Sequence, residues 1–227
     1  MIVPLARAVS DLAARPLRRV VGLSLALAVA SFAVLWVAIA VVLDRTVRFG
    51  WRPLDWLVDL LGALAVLGLS WLLFPAVLTL VMGFFLDRVA GAVEARTYPG
   101  KGPPRLAPMG ETVVLTMRLM GLAIIFNLLA LPVYVLVPGL NFFVFLGLNG
   151  YLFGREYFEV VALRRLDPTA ARAARHRFGG RVFLGGVAIA ALFLVPLVNL
   201  VAPVIATAFM VHLFEGLRRA GPQPLAS

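Results

Sequence analysis

The sequence predicts an all-α integral membrane protein with two long transmembrane helices and two Pro-broken, hemi-penetrating helical hairpins. Three observations support this fold class. Of the 227 residues, 62% are hydrophobic and the mean hydropathy is +0.99, whereas a soluble domain is nearer half apolar. Two charge-free stretches are long enough to span a bilayer. Two further apolar blocks resemble each other and are both interrupted by prolines.

The N-terminal part of the chain is predicted to form one surface helix and both complete spans. Residues 5–14 place apolar side chains on one helical face, with Arg7 and Asp11 positioned to pair at i,i+4, and so predict an amphipathic helix at the membrane interface. Residues 20–43 carry no charge and exceed the length of a signal-peptide core. Residues 60–86 form the second uncharged run. Each run predicts a transmembrane helix.

The C-terminal part contains the two similar blocks. Residues 128–143 and 192–207 each hold two prolines and an asparagine. Paired, proline-interrupted segments of this kind predict helical hairpins, over 119–153 and 182–214, whose turns lie inside the membrane. Two ordinary helix pairs with proline kinks are the alternative, because both arrangements enter and leave on the same side.

Local signals place the breaks in the first hairpin. Pro132 is expected to break the outgoing helix, and Pro138–Asn141 is a turn signal. The apolar residues 142–153 of the returning leg would rise only about 18 Å, which is less than the roughly 30 Å hydrocarbon core. The returning leg therefore predicts a hairpin that does not cross.

A short helix is predicted between the hairpins. Asp167 provides an N-cap and Pro168 suits the first helical position, which predicts a cytoplasmic or interfacial helix over 167–178. The glycine pair at 179–180 is expected to end it. The tail 221–227 is expected to be disordered. Lipid headgroups are the expected contacts of the basic side chains of the helix, which are Arg172, Arg175 and Arg177.

The returning leg of the first hairpin has two distinct faces. Gly147, Gly150 and Gly154 fall on one stripe, which would allow a neighbouring helix to approach closely. Arg155 and Glu159 can pair at i,i+4 on another arc. The helix therefore combines a smooth packing face with a polar one.

Charge and composition restrict the function classes. Basic residues number 21 and acidic residues 11, for a net charge of +10. Most basic residues lie in segments between apolar runs, which favours topology signals and contacts with membrane lipids over nucleic-acid binding. Eighteen of the 21 flank the predicted cytoplasmic side, so both termini are expected in the cytoplasm. With no cysteine and two histidines, the chain offers no expected metal or cofactor site and no enzyme motif.

An anion site is possible before the first span. A helix that begins at Pro16 would direct free N–H groups toward the cytoplasm, beside Arg15, Arg18 and Arg19. Ordinary topology signalling by these arginines is the alternative.

Two stretches carry a family resemblance. GYLFGREYFEVVALRRLDP at 150–168 and PLVNLVAPVIATAFMVHLF at 196–214 resemble the CysZ sulfate-transporter family, which is grouped with the etoposide-induced membrane proteins. The resemblance covers about residues 5–219. It implies an all-helical, multi-pass protein of the bacterial inner membrane with two long spans and two hemi-penetrating hairpins. It also implies a homo-oligomer and sulfate uptake for cysteine biosynthesis.

The resemblance also implies a site. Family members carry a Gly-Leu-Arg element before the first span, and the matching residues are Leu17, Arg18 and Arg19. Pro16 stands in place of the glycine and removes one backbone N–H donor.

These features lead to two hypotheses. The first is a permease or channel for sulfate or a similar small anion, in which carboxylates hold arginines along a polar seam. Helix-to-helix salt bridging is the alternative role of the carboxylates. The second hypothesis is a non-transporting membrane scaffold that uses the glycine stripe as an interface. His212 is expected to be a packed residue and not a proton relay. The seam candidates are Arg118, Asn127, Asn141, Asn149, Arg155, Glu156, Glu159 and Asn199.

Overall fold

The computed structural model describes residues 2–46, 85–105 and 108–220, together with single residues and short runs between 56 and 83. Within these ranges the regular elements are helices, and no strand occurs. Much of the predicted second span and the whole tail 221–227 lie outside the described residues.

The chain forms two compact units. One comprises Met1–Leu17 and Leu86–Ser227, and the other comprises Arg18–Phe85. The second unit is dominated by helix α2, Arg15–Thr46, of which Arg15–Val41 is long and apolar enough to cross a membrane. Side chains of α2 contact residues 70 and 74, which belong to the same unit.

Two side-chain contacts connect α2 to these residues. Trp36 Nε1 donates a hydrogen bond to Ser70 Oγ over 2.6 Å. One turn earlier on α2, the ring centroids of Phe32 and Phe74 lie 5.7 Å apart. These contacts combine an exposed side-chain hydrogen bond with aromatic packing.

The first unit is built around α9, Ala202–Ala220, and every residue from 202 to 215 is buried. Residues 202–211 of this helix are apolar apart from Thr207, which is typical of the buried part of a central helix. Helices α1 (Ile2–Asp11), α3 (Leu86–Thr97) and α5 (Asn141–Ala162) pack around it. Phe158 of α5 meets Phe214 of α9 edge to face, with centroids 5.7 Å apart.

The first hairpin consists of α4 (Met109–Leu136), a 3₁₀ turn (Pro138–Leu140) and α5. The predicted turn is present, but the expected break at Pro132 is wrong, because α4 continues through this proline to Leu136. A proline removes one backbone hydrogen bond and can kink a helix. The other backbone hydrogen bonds of α4 keep the helix continuous through Pro132.

Helix α4 exposes much of its apolar surface. Met117–Leu136 meets the length and hydropathy of a membrane span. Leu129 is 67% exposed and Val135 is 69% exposed. An exposed apolar face of this size needs lipid or another protein surface to cover it.

The second hairpin does break at its prolines. Helix α7 spans Gly179–Phe193, the short helix α8 spans Pro196–Asn199, and α9 follows. Pro196 begins α8 and Pro203 lies in the first turn of α9, where a missing N–H is tolerated. The two hairpins therefore differ, because Pro132 of the first lies inside a continuous helix, whereas both prolines of the second lie at helix starts.

Helix α6, Pro168–Arg177, begins as predicted. Asp167 Oδ1 accepts hydrogen bonds from the backbone N–H groups of Thr169 and Ala170 over 2.8 and 2.9 Å. These bonds stabilise the carboxylate and lower the pKa of Asp167. The glycine pair does not end this helix as expected, since Gly179 instead starts α7.

The glycine stripe of α5 packs against α7. A Cβ atom added to Gly154 would lie 2.6 Å from the carbonyl oxygen of Val182, and one added to Gly186 would overlap backbone atoms of Gly150 and Gly154. Gly147 faces open space. Two of the three glycines therefore form an interface within the chain, which leaves no such interface for a partner at these positions.

Candidate functional site

A cavity of about 290 Å³ lies where α4, α5 and α6 meet. It brings together Arg118 and Glu159, two of the predicted seam residues, and adds Arg172, which the sequence assigned to lipid contacts. This volume accommodates a small ion with a few waters, because one water occupies about 30 Å³. The complete lining is Gly110, Glu111, Val114, Arg118, Glu159, Leu163, Pro168, Ala171 and Arg172.

Glu159 organises the arginines beside this cavity. Its Oε1 accepts a hydrogen bond from Arg155 Nε over 3.2 Å and lies 3.5 Å from Arg175 Nε. The side chain of Arg175 is 13% exposed and pairs with Glu159, so most of this side chain is buried against α5, while its contact with lipid headgroups stays a prediction. The predicted Arg155–Glu159 pair is present, whereas the contact with Arg175 depends on how α6 folds back and has no local sequence signal.

The two carboxylates that line the cavity already have arginine partners outside the lining. Glu111 is paired with Arg105 through two hydrogen bonds of 2.7 and 2.6 Å, and this contact lowers the pKa of the Glu111 carboxyl. Arg118 and Arg172 form no ion pair with any residue in the described ranges. Two guanidinium groups are thus left to attract an anion.

The predicted asparagine seam does not form through hydrogen bonds. The carbonyl of Ala123 accepts from Asn127 Nδ2 over 2.8 Å, and that of Phe145 accepts from Asn149 Nδ2 over 3.0 Å. Both amides therefore bond within their own helices. The remaining seam candidates Asn141, Glu156 and Asn199 make no side-chain hydrogen bond or ion pair to residues that the structure describes.

The arginines before the first span lie at a helix start. Helix α2 begins at Arg15, so the N–H groups of its first turn lack intrahelical partners. Leu17 is 2% exposed and can offer only its backbone to an anion. Arg18 and Arg19 are exposed and pair with no carboxylate among the described residues.

A buried polar chain connects α1 to α9. His212 Nε2 and Asp11 Oδ2 are 2.8 Å apart, and His212 Nδ1 and Tyr98 Oη are 2.9 Å apart. Asp11 also pairs with Arg96 over 3.4 Å, and no ion pair between Asp11 and Arg7 occurs among the described residues. Burial of the Tyr98 phenol raises its pKa. His212 is packed, as expected, but its two partners, Asp11 and Tyr98, are distant in the chain and were not predicted.

No group of three or more His, Asp or Glu side chains suited to a metal ion occurs in the described part of the chain.

The comparisons with known proteins identify a family. Residues 4–203 match the family model described as "Sulfate transporter CysZ/Etoposide-induced protein 2.4". No curated protein and no solved structure matched the chain in the corresponding searches.

Proposed function

This chain belongs to the sulfate transporter CysZ/etoposide-induced protein 2.4 family, and we propose that it carries sulfate or a similar small oxyanion across the bacterial inner membrane, supplying sulfur for cysteine biosynthesis. The observation that carries this proposal is the cavity of about 290 Å³, in which two arginines have no carboxylate partner. The cavity is suited to an inorganic anion in size and charge.

In this proposal Arg118 and Arg172 contact the anion. Guanidinium groups present paired N–H donors that match the oxygen spacing of tetrahedral oxyanions. The two residues lie on different helices, α4 and α6, so an anion between them would connect both. Binding would thus respond to the position of the exposed helix α4.

Glu159 acts as a positioning residue in this proposal. It holds Arg155 and Arg175 and presents negative charge to the cavity wall. A carboxylate repels an oxyanion, so the site attracts the ion without retaining it. Conduction requires such moderate binding, because an ion that binds too tightly does not leave.

A second anion contact is proposed at the start of α2. Arg18 and Arg19 are exposed beside the first turn of α2, with the backbone N–H of Leu17 unpaired within the helix. Their charge would raise the local concentration of anions near the membrane surface. Pro16 supplies no N–H to that turn.

The membrane placement rests on exposed apolar helices and on charge. Arg15–Val41 and Met117–Leu136 have the length and hydropathy of membrane spans. Eighteen of the 21 basic residues lie in segments assigned to the cytoplasmic side, which favours a cytoplasmic location for both termini. We propose that membrane lipids and a second copy of the chain pack against the exposed apolar face of α4.

Uptake of radiolabelled sulfate into liposomes tests the proposal. Vesicles containing the purified protein should accumulate sulfate faster than empty vesicles, and the double variant Arg118→Gln/Arg172→Gln should reduce this rate at least about tenfold, as expected for two lost charged contacts. The matched control is Arg177→Gln/Arg181→Gln, which removes two exposed arginines outside the cavity.

One result would count against transport, and another would count against the role of the cavity. Equal uptake by protein-containing and empty vesicles, with protein that is folded and inserted, would favour the scaffold hypothesis. If both double variants take up sulfate at the same rate, the protein is still a transporter, but Arg118 and Arg172 do not contribute to transport. The pair Arg18→Gln/Arg19→Gln then tests the second anion contact separately.

A further inference from the structure

A second and larger basic cavity lies in the first unit, apart from the candidate transport site. Its volume is about 770 Å³, compared with about 290 Å³ for the cavity at Arg118. It lies where the loop after α3 meets the ends of α5 and α9. Its charged lining residues are Lys101, Arg105, Arg164, Arg165, Glu215, Arg218 and Arg219.

The charges of this cavity do not balance. Arg164 pairs with Asp87 and with Glu94, and Glu94 also binds Arg165 over 2.6 Å. Two further pairs, Arg105–Glu111 and Lys101–Glu215, neutralise two more cations. The six cations of the lining therefore have four carboxylate partners, of which Glu215 itself lines the cavity.

Two arginines at the end of α9 account for the excess. Arg218 and Arg219 form no ion pair with any carboxylate in the described ranges. The guanidinium carbon of Arg219 lies 5.2 Å from the centroid of the Tyr98 ring, which supports the side chain from one face. The edge of the group stays available for hydrogen bonds.

The loop that closes the cavity is held in place. Arg165 Nη1 donates to the carbonyl of Gly102 over 2.6 Å, and the N–H of Arg105 donates to the carbonyl of Arg164 over 2.9 Å. Gly100 has a φ of +85°, which favours glycine over any other residue. The cavity is therefore shaped by fixed contacts on both sides of the loop.

We propose that this cavity binds an organic phosphate through a doubly charged phosphate monoester group. The excess of two cations matches that charge, and guanidinium forks match the geometry of phosphate oxygens. The volume falls within the range for organic ligands and exceeds what one inorganic oxyanion requires. The phosphate monoester belongs either to a soluble metabolite or to a lipid headgroup of the phosphatidic acid type.

Binding to the full-length protein in an uncharged detergent tests this inference. The probes are adenosine 5′-monophosphate, short-chain phosphatidic acid and inorganic sulfate, each titrated by calorimetry. At least one of the two organic phosphates should bind at least about tenfold more tightly than sulfate. Tighter binding of the nucleotide identifies a soluble ligand, and tighter binding of phosphatidic acid identifies a headgroup.

Substitutions of the cavity arginines test whether the organic phosphate binds in this cavity. Arg218→Gln/Arg219→Gln should weaken binding at least about tenfold, whereas Arg218→Lys/Arg219→Lys should weaken it less, because charge remains while the fork is lost. The control Arg177→Gln/Arg181→Gln should leave binding unchanged. Thermal unfolding of each variant checks that the fold is intact.

Three outcomes would overturn the inference. They are no binding of either organic phosphate, binding of sulfate as tight as that of the organic phosphates, and binding that persists unchanged in the Arg218→Gln/Arg219→Gln variant. The inference does not rest on transport, because Arg118→Gln/Arg172→Gln should reduce sulfate uptake at least about tenfold while leaving organic phosphate binding unchanged.

Discussion

The imidazole of His212 lies 2.8 Å from the carboxylate of Asp11, a residue 201 positions earlier in the chain. Its other ring nitrogen is bonded to Tyr98, so both polar atoms of the ring have partners. All three residues are buried. This polar chain fixes the orientation of α1 on the central helix α9, in addition to apolar packing.

We expect Asp11→Ala to destabilise the first unit by about 1–3 kcal/mol, because a buried ring nitrogen of His212 would lose its partner. Denaturation in increasing SDS, followed by circular dichroism, measures the change. Ser10→Ala is the control, since Ser10 is exposed and bonds only to the carbonyl of Arg7. An effect of Asp11→Ala no larger than that of Ser10→Ala would contradict the structural role.

The close approach of α5 and α7 predicts opposite effects for two glycine substitutions in one helix. Gly154→Ala should destabilise by about 1–3 kcal/mol, because its Cβ would press on the carbonyl of Val182. Gly147→Ala should be neutral or stabilising by up to about 1 kcal/mol, because it faces open space within a helix. The same SDS titration compares them, and equal effects would argue against this interface.

Substitutions at two carboxylates of α5, Glu159 and Glu156, should differ in their effect on stability. Glu159→Ala would leave Arg155 and Arg175 without their shared partner, and we expect a loss of about 3 kcal/mol. Glu156→Ala should change stability by less than about 0.5 kcal/mol, because Glu156 is exposed and contacts no described residue through an ion pair. A larger effect at Glu156 would show that this exposed position is covered in the assembled protein.

The N-cap of α6 predicts a pH dependence. The pKa of Asp167 is lowered from its usual 3.8 by the N–H groups of Ala170 and Thr169. A lowered carboxyl pKa stabilises the fold above the unfolded-state pKa, and this contribution is lost as the pH falls through the folded-state pKa. Stability should therefore decline below about pH 4.

Substitution separates the charge of Asp167 from its capping role. Asp167→Asn keeps an N-cap that does not titrate, so its melting temperature should fall less than that of the parent between pH 5 and pH 3. Asp167→Ala should be less stable at both values. If the parent and Asp167→Asn lose stability equally between pH 5 and pH 3, the ionised carboxylate of Asp167 does not contribute to the pH dependence of stability.

The predictable features of this chain are those that neighbouring residues encode. The N-cap at Asp167 follows from a carboxylate that precedes Pro168, and the turn at Pro138–Asn141 follows from proline and glycine chemistry. The Arg155–Glu159 pair follows from helical spacing. Each involves residues within four positions of one another, so no knowledge of the tertiary fold is needed.

The remaining features depend on packing between distant segments. Asp11 has a suitable partner at Arg7, yet it bonds to His212 because α1 lies against α9. Arg175 resembles other surface arginines in sequence, and only the position of α6 brings it to Glu159. Both basic cavities combine residues from three parts of the chain, so their charge balance could not be obtained from local spacing.

The glycine contact between α5 and α7 also restricts how the protein can move. Backbone atoms meet at Gly150, Gly154 and Gly186, which leaves no room for one helix to slide past the other. We expect these two helices to shift together as a rigid block. Under the proposed transport function, we expect an ion path to open by displacement of α4 relative to that block, with the turn at Pro138–Leu140 as the hinge.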